Sequence, residues 1–522
     1  MGREEEIIKE RIKKIDELRK NNVDPYPTKF DGRQNISEIK KFSEGKEVKT
    51  AGRVVALRDL GKIAFVKLRD YTGDIQIVFQ DKETPDKTFE FFKSYVDSGD
   101  FVGVEGKTFK TRTGEFSILV NKIEILSKSI LPLPEKWHGL TDEEDRYRKR
   151  YLDFVLNPEI KDLFYKKFIF WKSVREFLLS KDFIEVETPV LENTTGGADA
   201  RPFITHHNNL DIDVFLRISM GELWQKRLMV AGFEKTFEIG RQFRNEGSSP
   251  EHLQDYTQME FYMAYANYEK GMEVVEELYK YVVKKVLGTS KFKTRGHEVD
   301  VDKKWERIDY ASEIKKRTGV DIWNASEIEI EKKLKELRVD YDPIDKPRLI
   351  DSLWKYCRKN IAGPVFVINQ PVEISPLAKK SSKDARVVER FFVLIAGSEL
   401  GNGYSELNDA LDQEERFKKQ AEMREKGDEE AQMNDEEFVE ALKYGMPPTC
   451  GFGMSERVFA FIVDKPIREC VMFPLLRPLK NQKVENKEHK TKSEKKVESK
   501  KIDTKNKVKK EKKNNDKKTK KK

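Results

Sequence analysis

TFEIGRQFRNEGSSPEHLQDYTQMEFYMAYANY, residues 236–268, reads as strand, loop, strand. Side chains alternate along a strand, so Glu238, Arg244 and Glu246 take one face while Phe237, Ile239 and Phe243 take the other. On the return strand Gln258, Glu260 and Tyr262 share a face opposite Met259, Phe261 and Met263. The pattern predicts a hairpin with one apolar and one strongly polar face. A solvated outer surface would look similar, but Arg, Glu, His and Tyr above a continuous apolar face also suit a polar ligand. Arginine offers a planar fork to phosphate or carboxylate, and glutamate accepts from an amine.

Two later segments extend this reading. SELGNGYSELND, residues 398–409, is a second strand candidate that places Asn402, Tyr404 and Glu406 in period two, and its carboxylates among small residues read as a cation site. PPTCGFGMSER, residues 447–457, reads as a Gly-rich turn entering an apolar helical pattern, which aims Arg457 out of the helix start. From residue 146 to 479 helix and strand are mixed, with no βαβ rhythm and no GxxxxGK phosphate loop, so an antiparallel α+β domain is expected. Residues 268–288 and 325–340 read as amphipathic helices that cover a core, and no chemistry is assigned to them.

Upstream, residues 48–126 hold five short β-rich runs parted by Gly, Asp and Thr turns, the pattern of a small OB-type barrel. An amphipathic helix over residues 4–20 precedes it, with Ile7, Ile8, Ile12, Ile15 and Leu18 at helical spacing. The expected domains are residues 1–45 (helix and connection), 46–130 (barrel), 131–145 (Pro-containing linker), 146–479 (α+β domain) and 480–522 (tail).

Charge separates the tail from the rest. Residues 480–522 carry twenty lysines against seven acids, a net +13, so the remainder carries −5 of the formal +8. With no aromatic and almost no apolar residue, the tail cannot offset its ordering entropy by burial and is expected to be disordered. Its lysine density favours a salt-sensitive, sequence-independent arm on a polyanion such as RNA over a merely solubilising tail. No apolar run approaches bilayer length and the charged start has no signal-peptide pattern, so a cytoplasmic protein without membrane contact is expected. Three widely spaced cysteines, Cys357, Cys450 and Cys470, with no CxxC argue against a disulfide frame and a structural zinc site.

The three segments in this order resemble the class II aminoacyl-tRNA synthetases, and within them the lysine-specific ones. FRNE (Phe243 to Glu246) looks like motif 2, GFGMSER (Gly451 to Arg457) like motif 3, and FIEVETPVL (Phe183 to Leu191) with Pro189 like motif 1. GELWQKRL, EISPLAK, ELGNGYSELND and YGMPPT resemble lysine-specific signatures, and the similarity covers about residues 5–479.

The resemblance implies ATP-dependent and Mg²⁺-dependent activation of L-lysine, then its transfer to tRNA(Lys), by a homodimer. It implies catalytic roles for Arg244 on the α-phosphate and lysine carboxylate and for Arg457 on the γ-phosphate, with Glu246 holding the adenine amino group, His252 near the outer phosphates and Tyr256 stacking on adenine. Glu222 and the backbone at Gly197 are implied for the α-amino group; Tyr262 and Glu406, supported by Asn402 and Glu260, for the ε-amino group. Glu399 and Glu406 are the metal candidates. Family spacing maps Arg58, Phe65 and Gln76 onto residues that read the anticodon loop.

The chain departs from the family pattern at Phe392, where an acidic metal ligand is usual, at Glu456 for the usual Asp, and at Ser219-Met220-Gly221, one residue longer than usual. Aspartate or asparagine as substrate is disfavoured by the three glutamates of the implied pocket. A protein-modifying paralogue is disfavoured by the barrel, and an inactive RNA-binding relative by the presence of both arginines.

Overall fold

The computed structural model describes residues 2–134, 140, 142–198, 200–247, 249–341, 345–425 and 433–479. The tail at 480–522 and part of the expected linker lie outside the described residues. The described residues form two compact units, one ending at residue 160 and the other beginning at residue 161. The first extends past the linker because the helices Glu143–Arg148 and Arg150–Leu156 belong to it, and Arg69 donates to the Val155 carbonyl at 2.6 Å.

In the first unit β1 (Glu47–Asp59), β2 (Ile63–Arg69), β3 (Asp74–Gln80), β4 (Phe101–Lys110) and β5 (Phe116–Ser127) close into a barrel in the order β1-β2-β3-β5-β4. Alternation sends Val66, Leu68, Ile75, Ile77 and Phe79 inward, each at most 2% exposed. Gly52 lets β1 approach β2 and Gly106 lets β4 approach β5: a Cβ at Gly52 would stand 2.4 Å from the Arg69 carbonyl oxygen, and one at Gly106 2.0 Å from that of Leu119. A helix not anticipated from the sequence, Asp86–Tyr95, plugs the barrel with Phe89 and Phe92, the latter stacked on Phe79 at 4.0 Å. The N-terminal helix spans Arg3–Lys20 and buries Ile15 and Leu18.

The second unit is built on an eight-stranded sheet. Its strands are β6 (Ile184–Glu185), β10 (Lys235–Phe243), β11 (Asp255–Ala264), β14 (Glu306–Asp309), β15 (Val365–Ile368), β16 (Arg390–Ile395), β17 (Ser398–Ser405) and β18 (Thr449–Ser455), in the order β14-β15-β16-β17-β18-β11-β10-β6. Two small sheets accompany it: β7 (Leu191–Glu192), β8 (Ile204–His207) and β9 (Ile212–Leu216) in one, β12 (Lys291–Thr294) and β13 (His297–Asp300) in the other. Six of the large sheet's strands, β15 to β10, pair antiparallel, and only the two edge pairs are parallel. The α+β expectation holds.

The two faces differ as the hairpin pattern predicts. Phe237, Met259, Phe261, Phe391, Val393, Phe452 and Met454 are buried with Met272, Val275, Leu278, Tyr279 and Val282 of the helix Tyr268–Leu287. Each such large apolar side chain contributes roughly 1.5–3 kcal/mol by burial, so this face holds the sheet rigid under the site. The helices Tyr310–Thr318, Glu327–Glu336 and Lys346–Arg358 form a further apolar cluster with Val365, Val367 and Leu394.

Two local expectations are corrected. Arg244 and Glu246 lie beyond the end of β10, in the loop, so strand alternation does not place them. Residues 449–455 form a strand in the middle of the sheet, not a Gly-rich turn. The glycines there clear space: a Cβ at Gly451 would stand 2.2 Å from Glu406 Oε1 and 2.5 Å from Tyr262 Cε1. Arg457 does begin a helix, Arg457–Ile462.

Among the described residues no helix is long and apolar enough to cross a membrane. All three cysteines are free and buried.

Candidate active site

Register builds the site. Opposite residues in antiparallel strands share a face, and the pairs Glu260↔Gly453, Tyr262↔Gly451, Tyr404↔Gly451 and Asn402↔Gly453 lay polar side chains from β11 and β17 on either side of the β18 glycines. Over this floor lies a cleft of about 830 Å³. Among its lining residues are Gly197, Glu222, Arg244, His252, Tyr256, Glu260, Tyr262, Glu399, Asn402, Glu406 and Arg457, so residues far apart in sequence meet here.

The buried end is acidic and closely bonded. Glu260 Oε1 accepts from the Met220 backbone N–H at 3.0 Å and Gln258 Nε2 at 2.7 Å, while its Oε2 accepts from the Tyr262 hydroxyl at 2.9 Å. With its proton committed to Glu260, the Tyr262 oxygen faces the cleft as an acceptor. Glu222 accepts from Lys226 Nζ at 3.0 Å and from the Tyr404 hydroxyl. Lys226 Nζ also lies 2.6 Å from Glu406 Oε2, an ion pair set off the direction of a hydrogen bond. Burial, and then the neighbouring Glu222 charge, push the Glu260 carboxyl upward; burial and the other two carboxylates push Glu406 upward against the pull of Lys226. Lys226 is held charged: burial opposes its cation, but Glu222 and Glu406 outweigh that cost and raise its pKa.

Gly197 sits at φ +85°, in the left-handed region, where a Cβ would meet Ser219 Oγ at 2.6 Å and Glu222 Cβ at 2.9 Å. Its backbone therefore lies against Glu222. A left-handed Gly221 (φ +67°) opens the helix Glu222–Val230 and leaves the Met220 N–H aimed at Glu260.

The other end is basic. Arg244 is half-buried, with its Nε 3.3 Å from the Ile218 carbonyl, and Arg457 donates to Glu251 Oε2 at 2.7 Å. His252 shares a 2.8 Å hydrogen bond with Ser249; crowding at the cleft rim, then the Arg457 charge, hold its pKa below the ordinary imidazole value. Tyr256 lines the cleft and its hydroxyl is bonded by Gln242. Glu246 stands exposed on the loop and is not part of the cleft lining.

The two metal candidates stand among different partners. Glu399 Oε1 accepts from Trp354 Nε1 at 2.6 Å, whereas Glu406 is paired with Lys226. Phe392 lies under the Arg390 guanidinium at 4.6 Å, and Arg390 Nε donates to Asn402 Oδ1 at 2.9 Å. Among the described residues no group of three or more His, Cys, Asp or Glu is arranged to hold a metal. Glu238 stands opposite Glu260 on the polar face, as read, but is buried there in an ion pair with Arg217 at 2.7 Å.

Sequence reasoning did not single out Lys226, Glu251 or Arg390. Lys226 lies four residues after Glu222 on one helix, the spacing at which Glu and Lys meet, and that signal was available. Arg390 and Glu251 reach the cleft from elements that only the fold brings together. On the barrel, Arg58 is cross-strand to Phe65, and Gln76 lies on the same outer face across the adjacent strand, where its Nε2 donates to Ser117 Oγ at 2.9 Å.

Comparison with known proteins agrees with this geometry. Residues 142–477 match the family described as tRNA synthetases class II (D, K and N), and residues 48–126 match the OB-fold nucleic acid binding domain. Lysine–tRNA ligases of Thermosipho africanus and Thermotoga maritima are each 45% identical, over 92% of this chain and 98% of theirs. That of Carboxydothermus hydrogenoformans is 44% identical over 91% of this chain and 98% of its own. Matched over residues 142–477 by this family and 44–45% identical to lysine–tRNA ligases over 91–92% of its length, the chain belongs to the class II tRNA synthetases, in the lysine–tRNA ligase family.

Proposed function

We propose that the chain activates L-lysine with ATP and transfers it to the 3′ end of tRNA(Lys), with the acidic end of the cleft selecting lysine. The observation that carries this reading is the buried set Glu222, Glu260 and Glu406 around Tyr262. A desolvated ammonium is costly unless paired, and three carboxylates on one floor offer what a dicationic amino acid needs. A pocket for aspartate or asparagine would need donors in these places.

The lysine carboxylate is already ionised and attacks the α-phosphorus directly; an oxygen–phosphorus bond forms, pyrophosphate leaves, and no general base is needed. Catalysis is then positioning and charge stabilisation. Arg244 would bridge the lysine carboxylate and α-phosphate, and Arg457 would serve the outer phosphates once Glu251 releases it. His252 at the rim and Tyr256 on the floor suit phosphate and adenine. The terminal ribose hydroxyl of the tRNA next attacks the lysyl carbonyl, and AMP departs.

Mg²⁺ would come with ATP and neutralise phosphate charge. The residues fit an ion held mainly by phosphates: Glu399 supplies one carboxylate on the cleft wall, and Phe392 supplies none. The barrel face with Arg58, Phe65 and Gln76 suits an unpaired RNA loop, through stacking and edge hydrogen bonds. Exposed apolar side chains on and after the helix Ile160–Ser180, among them Phe168, Leu179 and Ile184, support a homodimer. Charging of lysine tRNA with labelled lysine tests the whole reading: ATP-dependent charging is expected, and none at any tRNA concentration would refute it.

A further inference from the structure

Buried behind the acidic end of the cleft lies a cation that no substrate role explains. Lys226 is 1% exposed, shielded by the rings of Tyr404 (5.5 Å) and Phe438 (5.9 Å), and its Nζ contacts Glu222 Oε1 and Glu406 Oε2. Its contacts are selective. Glu222 Oε2 accepts no hydrogen bond among the described residues; Glu406 meets Lys226 through Oε2 alone, as an ion pair without a hydrogen bond, and its Oε1 lies over Gly451 beside Tyr262. Glu260 is satisfied on both oxygens by the protein.

The charge count points the same way. With their acids ionised, the three carboxylates of the acidic end, Glu222, Glu260 and Glu406, together with Lys226 carry two negative charges, which the two ammonium groups of lysine balance. Without Lys226 one carboxylate would be buried unpaired beside the bound substrate.

We propose that Lys226 is a positioning residue for lysine selection: it clamps the inner oxygens of Glu222 and Glu406 at one spacing and so leaves their outer oxygens as the two ammonium acceptors. This rests on the lysine reading of the cleft. Glu222, on the same helix, is joined around Lys226 by Tyr404 and Glu406 from β17 and its exit, and by Glu260 and Tyr262 from β11.

The test is steady-state ATP–pyrophosphate exchange by the full chain and its K226Q and K226A variants, across pH. Expected is a rise of about a hundredfold in the lysine KM, with the ATP KM changed less than about threefold. The pH at which lysine affinity is half-lost should move upward, because Glu406 loses its neighbouring cation. Propylammonium, which matches the side chain deleted in K226A, should restore part of the lysine KM. Should K226A not fold, K226Q is nearly isosteric and carries the KM and pH arms. Folded variants with an unchanged lysine KM and pH profile, or with lysine and ATP KM rising together, would overturn the proposal while leaving the lysine reading intact. A wild-type chain inert with lysine would overturn both.

Discussion

Glu406 is where selectivity is expected to be concentrated. Glu406→Gln keeps the shape and removes the charge, so the lysine KM should rise by about a hundredfold or more while the ATP KM stays near its wild-type value. Proportional rises in both would mean that Glu406 is structural. Protonation of the same group gives a pH prediction. Burial and neighbouring carboxylates raise the free site's carboxyls, Glu260 to about 7 and Glu406 to about 8, whereas a bound ammonium favours their ionised forms. Lysine binding should therefore strengthen as pH rises through this window and release protons, which calorimetry in buffers of different ionisation enthalpy would detect. Stability follows the opposite sign. The folded pKa values exceed the unfolded value near 4.5, so the free chain takes up more protons than the unfolded chain between that value and about 8, and these groups contribute less stability as pH rises.

Elements were legible in the sequence to different degrees. The hairpin at 236–268 read correctly because its period-two alternation continues across both strands, and the five barrel strands read correctly for the same reason. The 449–455 segment did not, because two glycines look like a turn until the side chains they make room for, Glu406 and Tyr262, are known to lie beside them. Adding a methyl there tests the point. Gly451→Ala should cut lysine-dependent exchange by about five- to a hundredfold, the effect of roughly 1–3 kcal/mol of overpacking, without lowering ATP affinity. Loss of ATP affinity as well would show that the whole strand had shifted. The Asp86–Tyr95 helix escaped notice because its phenylalanines match a β-rich composition as well as a helical face. In the barrel, Arg69 grips Asp74 with two hydrogen bonds, at 2.5 and 2.8 Å. Burial alone would raise Asp74, but its bonds to Arg69 and Lys67 outweigh that and bring it to about 2. The stabilisation is present above the unfolded value near 3.8 and disappears as pH falls through about 2, so Asp74→Asn should lower the barrel's melting point at neutral pH and leave it unchanged at the acid end of that range.

At the scale of the whole molecule the two units divide the labour proposed for them. Replacing Arg58 and Phe65 by alanine should raise the KM for tRNA by about tenfold or more and leave lysine-dependent exchange untouched, since stacking and edge contacts to a loop contribute about 1–3 kcal/mol each. A parallel fall in exchange would contradict separate roles. Removing residues 480–522, which carry +13, should weaken tRNA binding at low salt and matter little at high salt; equal affinities across a salt series would remove the tail from RNA binding. What the sequence left unread at this scale was the set of long-range partners, such as Arg390 with Asn402, Arg457 with Glu251 and Arg217 with Glu238. Each side chain is visible in the sequence, but no local rule pairs polar and charged groups that only the folded sheet brings together. The central claim is that the acidic floor selects lysine, and amino-acid-dependent ATP–pyrophosphate exchange with each of the twenty amino acids tests it most directly. Exchange with lysine alone is predicted; exchange with an acidic or neutral amino acid at comparable efficiency, or with none, would contradict it.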